Sequence, residues 1–126
     1  MNLKSGIIEV NDEVISPGYN FTDFQKSSFF DGQDGIGIIK IKDIVQIENS
    51  NYVVSLFFRN KNLYIMSLVC VDIDIPFSEE IKRKQLHDKI LKEHGLNDKS
   101  VFEWGSIESV YDPKGNVSSV NIVYGV

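Results

Sequence analysis

Asp72-Ile73-Asp74 places two carboxylates on one side of a strand end, a pairing that can hold a cation or activate water. A metal needs further ligands, and no histidine stands beside the pair in sequence, so a solvated strand terminus is the plainer reading. The two histidines, His87 and His94, fall seven residues apart on one predicted helix. Two turns separate them by roughly 10 Å along the axis, too far to share an ion. Surface or helix-end positions are expected, with His94 suited to the negative end of the helix dipole. The single cysteine, Cys70, lies in an apolar run and reads as a buried, inert thiol. "DGQDG", Asp31 to Gly35, lacks the ligand spacing of a calcium loop. "GQDGIGII" follows a helix and enters a strand, the reverse of a phosphate-binding loop. No nucleophile elbow and no Walker pattern occurs. The residue types therefore point away from catalysis, and no metal or cofactor is expected.

Composition sets the class. At 126 residues the chain is expected to form one domain, residues 1–126, able to bury roughly two thirds of its unfolded surface. No apolar run reaches the ~20 residues that a membrane-spanning helix needs. The start, "MNLKSGIIEVND", has no apolar stretch of signal-peptide type, which predicts a cytoplasmic protein, and a lone cysteine suits a reducing compartment. The formal charge is −5. The acids lie largely in the first third, where over residues 1–34 Glu9, Asp12, Glu13, Asp23, Asp31 and Asp34 face only Lys4 and Lys26. Such a field repels nucleic-acid phosphates and anionic membranes and attracts basic protein partners. Acidity kept for solubility alone produces the same count.

The elements that must position these groups read as α+β. "GIIEV" and "EVI" form a hairpin about Asn11-Asp12, broken by "SPGYN". Thr22 to Gln25 fits a capping box, predicting a short helix from Asp23 to Ser28 or Phe30. "IGIIKIK", "NYVVSLFFR" and "LYIMSLVCVD" are strand-like, the first covered on both faces or packed under a helix, the last two joined by a tight turn over Asn60-Lys61. Leu63 to Val71 is apolar enough for a central strand. Ser78 should cap a helix from Glu79 to His94, with Ile81, Leu86, Ile90 and Leu91 facing the sheet. Glu79/Arg83, Glu80/Lys84 and Asp88/Lys92 are candidate i,i+4 ion pairs, and Gly95 with Leu96 fits a Schellman ending. Trp104-Gly105 then opens a closing hairpin about Asp112-Pro113-Lys114-Gly115, a scaffold element in which Gly105 permits a bulge or close packing. The predicted order is β-β-α-β-β-β-α-β-β, a mainly antiparallel sheet with one main helix on one face.

"GIIEVNDEVISPGYNFTDFQKSSFF" and "FEWGSIESVYDPKGNVSSVNIVYGV", taken together, resemble small bacterial immunity proteins of contact-dependent growth inhibition and other polymorphic toxin systems. The likeness lies in the order of elements across most of the chain, and it transfers no functional residue. It implies a cytoplasmic inhibitor that binds one cognate toxin domain, commonly a nuclease, and blocks its active site or substrate surface. An acidic surface suits such a partner. The candidate contacts are the loop acids Asp31 and Asp34, the strand-end acids Asp72 and Asp74, and Tyr52, with Tyr19, Tyr64 and Tyr111 as further aromatic anchors wherever exposed. A monomer or weak homodimer is expected. Two rival readings are a small enzyme or metal protein using Asp72 and Asp74, with or without His87, and a structural or adaptor subunit, which predicts a stable homo-oligomer.

Overall fold

The structure, a computed structural model, describes residues 1–34 and 36–125. It is a single α+β domain with a mainly antiparallel sheet. Strands β1 (Ile8–Val10) and β2 (Glu13–Ile15) form the N-terminal hairpin, and helix α1 spans Phe21–Gln25. Strands β3 (Gly37–Lys40), β4 (Val45–Ile47), β5 (Ser50–Arg59) and β6 (Asn62–Cys70) follow, then helix α2 (Ile81–Glu93). Strands β7 (Lys99–Phe102), β8 (Gly105–Asp112) and β9 (Val117–Tyr124) complete the chain. The main sheet runs β3-β5-β6-β9-β8-β7, with β4 also paired to β5. Strand β6 is central, as its apolar run predicts.

Two short strands, β4 and β7, are additions to the predicted order. Each has only three or four residues at the sheet periphery, too few for alternation to register. Residues Ile36–Lys42 are not covered on both faces, because β3 is an edge strand. Ile38 is 67% exposed there while Ile39 is buried. The "DGQDG" segment shows bends at Asp31 and Gly32, with Gly35 outside the described residues. The Asn60-Lys61 turn has positive φ at both positions, 52° and 64°, the twist that a two-residue hairpin requires.

Helix α1 begins two residues earlier than Thr22 would have it. Asn20, the stronger cap, accepts from the Asp23 amide at 2.9 Å, and the Asp23 carboxylate accepts from the Asn20 amide at 3.0 Å. The shift brings Phe21 as well as Phe24 inward. Both meet Phe30 and Phe58 with ring centroids 5.5–6.2 Å apart, mostly edge to face or tilted. The Phe21 amide donates to the Lys61 carbonyl, and the Leu63 amide to the Tyr19 carbonyl, pinning the helix to the β5–β6 turn.

Helix α2 ends as expected. The Leu96 amide reaches the Leu91 carbonyl and the Gly95 amide the Lys92 carbonyl, with Gly95 at φ 74°. Its start differs. Ser78 sits in a 3-10 turn, Phe77–Glu79, and the α-helix begins at Ile81 without a side-chain cap. The ion pairs shift accordingly to Glu79–Lys82, Glu80–Arg83 and Lys84–Asp88. The buried face also differs: Ile81 is 48% exposed, and His87 is fully buried beside Leu91. The expected surface position of His87 is therefore wrong.

A gap in the sheet explains both corrections. The β6–β9 ladder runs from Ile65↔Val123 to Leu68↔Val120 and stops. The same register would set Cys70 opposite Ser118, both wholly buried. Helix α2 supplies the missing partners. The Cys70 amide donates to His87 Nε2 at 3.0 Å, and its carbonyl accepts from the Arg83 guanidinium. The Ser118 amide donates to Glu80 Oε2 at 3.1 Å, and its hydroxyl to the Glu80 carbonyl at 3.3 Å. Glu80 and Arg83 pair with each other at 3.0 Å. Buried backbone groups need partners, so these contacts, not a local cap, set where the helix begins.

The closing hairpin is a scaffold. Trp104 Nε1 donates to the Lys4 carbonyl at 2.9 Å, its ring stacks on Phe102 at 5.3 Å, and Tyr124 donates to the Gly6 carbonyl at 2.9 Å. Gly105 serves close packing: a Cβ there would lie 1.9 Å from the Val123 carbonyl oxygen.

Because His87 accepts at Nε2, its proton resides on Nδ1, which is buried with no partner among the described residues. Desolvation, with the Arg83 charge adding to it, lowers its pKa to about 4. The unfolded chain then takes up the proton first, near 6.5, so this stability is complete above pH 6.5 and is lost as pH falls toward 4. The full loss is about 3 kcal/mol at ~1.36 kcal/mol per pKa unit. Urea titrations between pH 4 and 7 should show this slope in the wild type and its reduction in His87→Gln, which retains an acceptor for Cys70.

Candidate functional site

The acids of the N-terminal third lie mostly on the surface: Glu9, Asp12, Asp23, Asp31, Asp34 and Asp43 are exposed and Glu13 half-buried. Three segments among them converge. The β1–β2 turn at Asn11, the α1 exit from Ser28 to Asp31 and the link from Ile41 to Val45 enclose a cleft of about 290 Å³. Phe29 and Phe30, half-buried, supply apolar lining; Asp31, Asp43 and Lys42 are its exposed charges, and Ile44 stands 61% exposed. Asp12 adjoins the cleft through Asn11.

Each segment is held from behind. Phe30 packs on Phe21 and Phe24, and Val45 is buried in the pairing of β4 with Tyr52. Gln33 ties the loop by accepting from the Asp31 amide and donating to the Phe29 carbonyl. Neither the Asp31 nor the Asp43 carboxylate has a hydrogen bond or ion pair among the described residues. Asp34 lies outside the cleft, in a shallower groove with Ile38 and Lys40, and its carboxylate accepts from the Ile36 amide at 2.9 Å. Chemically, the cleft offers two unengaged carboxylates and an apolar anchor. It suits a lysine or arginine side chain with apolar neighbours.

The other expected contacts are placed elsewhere. Asp72 and Asp74 are exposed and do not line the cleft. Asp72 is already engaged, for its Oδ1 accepts from the Asn51 amide at 2.7 Å and from Asn51 Nδ2 at 3.1 Å. Partial burial opposes its charge, but those hydrogen bonds and others from Ser50 and Cys70 outweigh it and hold the pKa below the usual carboxylate value. This bond closes the β5–β6 end. Tyr52 is 2% exposed, and burial raises its phenol to about 12, so it is a core residue and not a surface anchor. Tyr19 is buried too, whereas Tyr64 and Tyr111 are half-buried. Cys70 is a buried free thiol. His94 meets Glu48 at 3.5 Å, at the end of α2. No group of three or more His, Cys, Asp or Glu side chains that could hold a metal occurs among the described residues.

Sequence reasoning found Asp31 but missed Asp43, Ile44 and the phenylalanine lining. "KDIVQ" carried the signal, an acid and an isoleucine in a polar break, but joining it to Phe29 and Phe30 takes the pairing of β4 with β5.

Divalent cations should leave the melting temperature of the purified protein unchanged in a thermal-shift screen with calcium, magnesium, manganese and zinc. A stabilisation that disappears in Asp72→Ala would restore the metal reading. The same variant should speed amide hydrogen exchange at Asn51, since its carboxylate partner is gone.

The chain matches no family model, no curated protein sequence and no solved structure.

Proposed function

We propose that this protein is an immunity protein of the cytoplasm, a binding module that neutralises a cognate bacterial toxin domain without chemistry of its own. The observation that carries the reading is the cleft between the β1–β2 turn, the α1 exit and the Ile41–Val45 link. Asp31 and Asp43 stand unengaged beside the exposed Ile44. A nuclease domain holds its substrate through lysines and arginines spaced for phosphates, and carboxylates presented on a rigid rim compete for the same cations. Long-range attraction between a −5 chain and a basic cleft raises the encounter rate. Lifetime then depends on what is desolvated at the centre, where Ile44 and the phenylalanines are the available apolar surface. Inhibition follows from occupancy, because a bound domain of 126 residues covers the surface that nucleic acid must reach.

The reading separates rate from lifetime. Asp31→Lys with Asp43→Lys should slow association with the toxin domain by roughly tenfold at low ionic strength and flatten its salt dependence. Ile44→Ala should act on dissociation, at a cost of about 1–2 kcal/mol. The partner to test is the C-terminal domain encoded by the adjacent upstream gene, co-expressed with and without this protein. If cells making that domain die equally in both cases, and the two proteins do not co-purify, the immunity reading is wrong.

A further inference from the structure

The main sheet has a second face that no described helix or strand covers. On β3, β5, β6, β9, β8 and β7, the residues pointing away from α2 are half-buried or exposed. The strand registers arrange them in rows. One row reads Ile38, Phe57, Ile65, Val123, Ser106 and Val101 from edge to edge. The adjacent row reads Lys40, Ser55, Ser67, Asn121, Glu108 and Lys99. An apolar row thus crosses the sheet with a polar row beside it. Its end members are strongly exposed, Ile38 at 67% and Val101 at 70%.

Toward β7 this face is concave. A hollow of about 350 Å³ is lined by Arg59, Tyr64, Lys99, Val101 and Val123, with glycines and Ser106 beneath. It contains no acid among its described lining residues. Arg59 lies over the Tyr64 ring with its guanidinium carbon 3.7 Å from the centroid, which holds the plane in place and leaves its edge donors free. Arg59, Lys99 and Lys40 form no ion pair among the described residues. On a chain of net charge −5, Arg59, Lys99 and Lys40 outnumber Glu108, the one acid of these rows, and give the face a sign opposite to that of the cleft around Asp31.

We infer that this sheet face is a second protein-docking surface, with the hollow between Arg59 and Lys99 receiving a carboxylate that adjoins an apolar side chain. The occupant is a protein segment with an apolar ridge flanked by Glu or Asp, an amphipathic acidic helix being the simplest form. Charge complementarity selects it. A guanidinium fixed on an aromatic ring presents paired N–H donors to a carboxylate, and Val101, Val123 and Tyr64 accept the adjoining apolar group. The twist of a six-strand path keeps a straight helix from touching both edges at once, so contact centres on Phe57, Ile65, Val123 and the hollow.

Two synthetic 16-residue amphipathic peptides test this on the full chain. They share one leucine face and carry either glutamate or lysine flanks; binding is followed by fluorescence anisotropy. The glutamate peptide should bind at least tenfold more tightly than the lysine peptide. That preference should vanish in Arg59→Gln with Lys99→Gln. Val101→Glu, at a site exposed enough to leave folding intact, should weaken the glutamate peptide about tenfold. Amide chemical-shift changes should map to Tyr64, Val101 and Val123. Asp31→Asn with Asp43→Asn should leave this binding unchanged, which separates the sheet face from the acidic cleft. Equal affinity for both peptides, binding by neither, shifts confined to the α2 side, or a stable dimer that Val101→Glu dissolves would each overturn the inference.

Discussion

The break in the β6–β9 ladder is the constraint on which the rest of the molecule turns. Two strands part at Cys70 and Ser118 while still buried, so four backbone and hydroxyl groups need partners in a place without water. The side chains of Glu80, Arg83 and His87, together with the Glu80 carbonyl, meet that need. Their spacing fixes the rotation of α2, which is why His87 points inward and Ile81 outward. A neutral imidazole under a guanidinium is the cost of that arrangement. The gain is a helix locked to two neighbouring strands that are far apart in sequence, leaving the opposite face of the sheet free.

The two surfaces differ in charge. Carboxylates gather around the N-terminal hairpin, α1 and the loop before β3, where the main chain turns often and side chains reach solvent. On the free face of the sheet stand Arg59, Lys40 and Lys99, and the two lysines also occupy the outer strands. Lysine on an outer strand discourages strand addition by another chain, so these residues have a protective role besides any in recognition.

Much of this architecture is legible in the sequence. "NYVVSLFFR" reads as a strand from its β-branched and aromatic content, Val120, Ile122 and Tyr124 alternate, and Gly95 with Leu96 signals a helix end by local chemistry alone. What escaped was decided at a distance. Ser78 is a good cap by type, yet the helix begins where Ser118 requires Glu80. Thr22 fits a capping box, yet Asn20 is preferred because it seats Phe21 on Phe58. His87 looks polar on a helical wheel, and only the ladder gap makes it a core residue. The same holds for the site: Asp31 could be named from its loop, whereas Asp43 and Ile44 joined it only through the pairing of β4 with Tyr52. Tyr52 itself failed as a contact because that same pairing buries it.

The position of β9 has a consequence for biogenesis. It comes last in chain order among the described strands, yet it sits between β6 and β8 in the middle of the sheet. A ribosome delivers the chain from the N-terminus, so β6 waits with one edge unpaired while some fifty further residues are added. Lys4 and Gly6 wait as well, since their carbonyls are satisfied only by Trp104 and Tyr124. The β5–β6 hairpin and α2 can form early, but the sheet cannot close until β9 has been made. Until then the apolar edge of β6 is open to chaperones, or to another copy of the same hairpin.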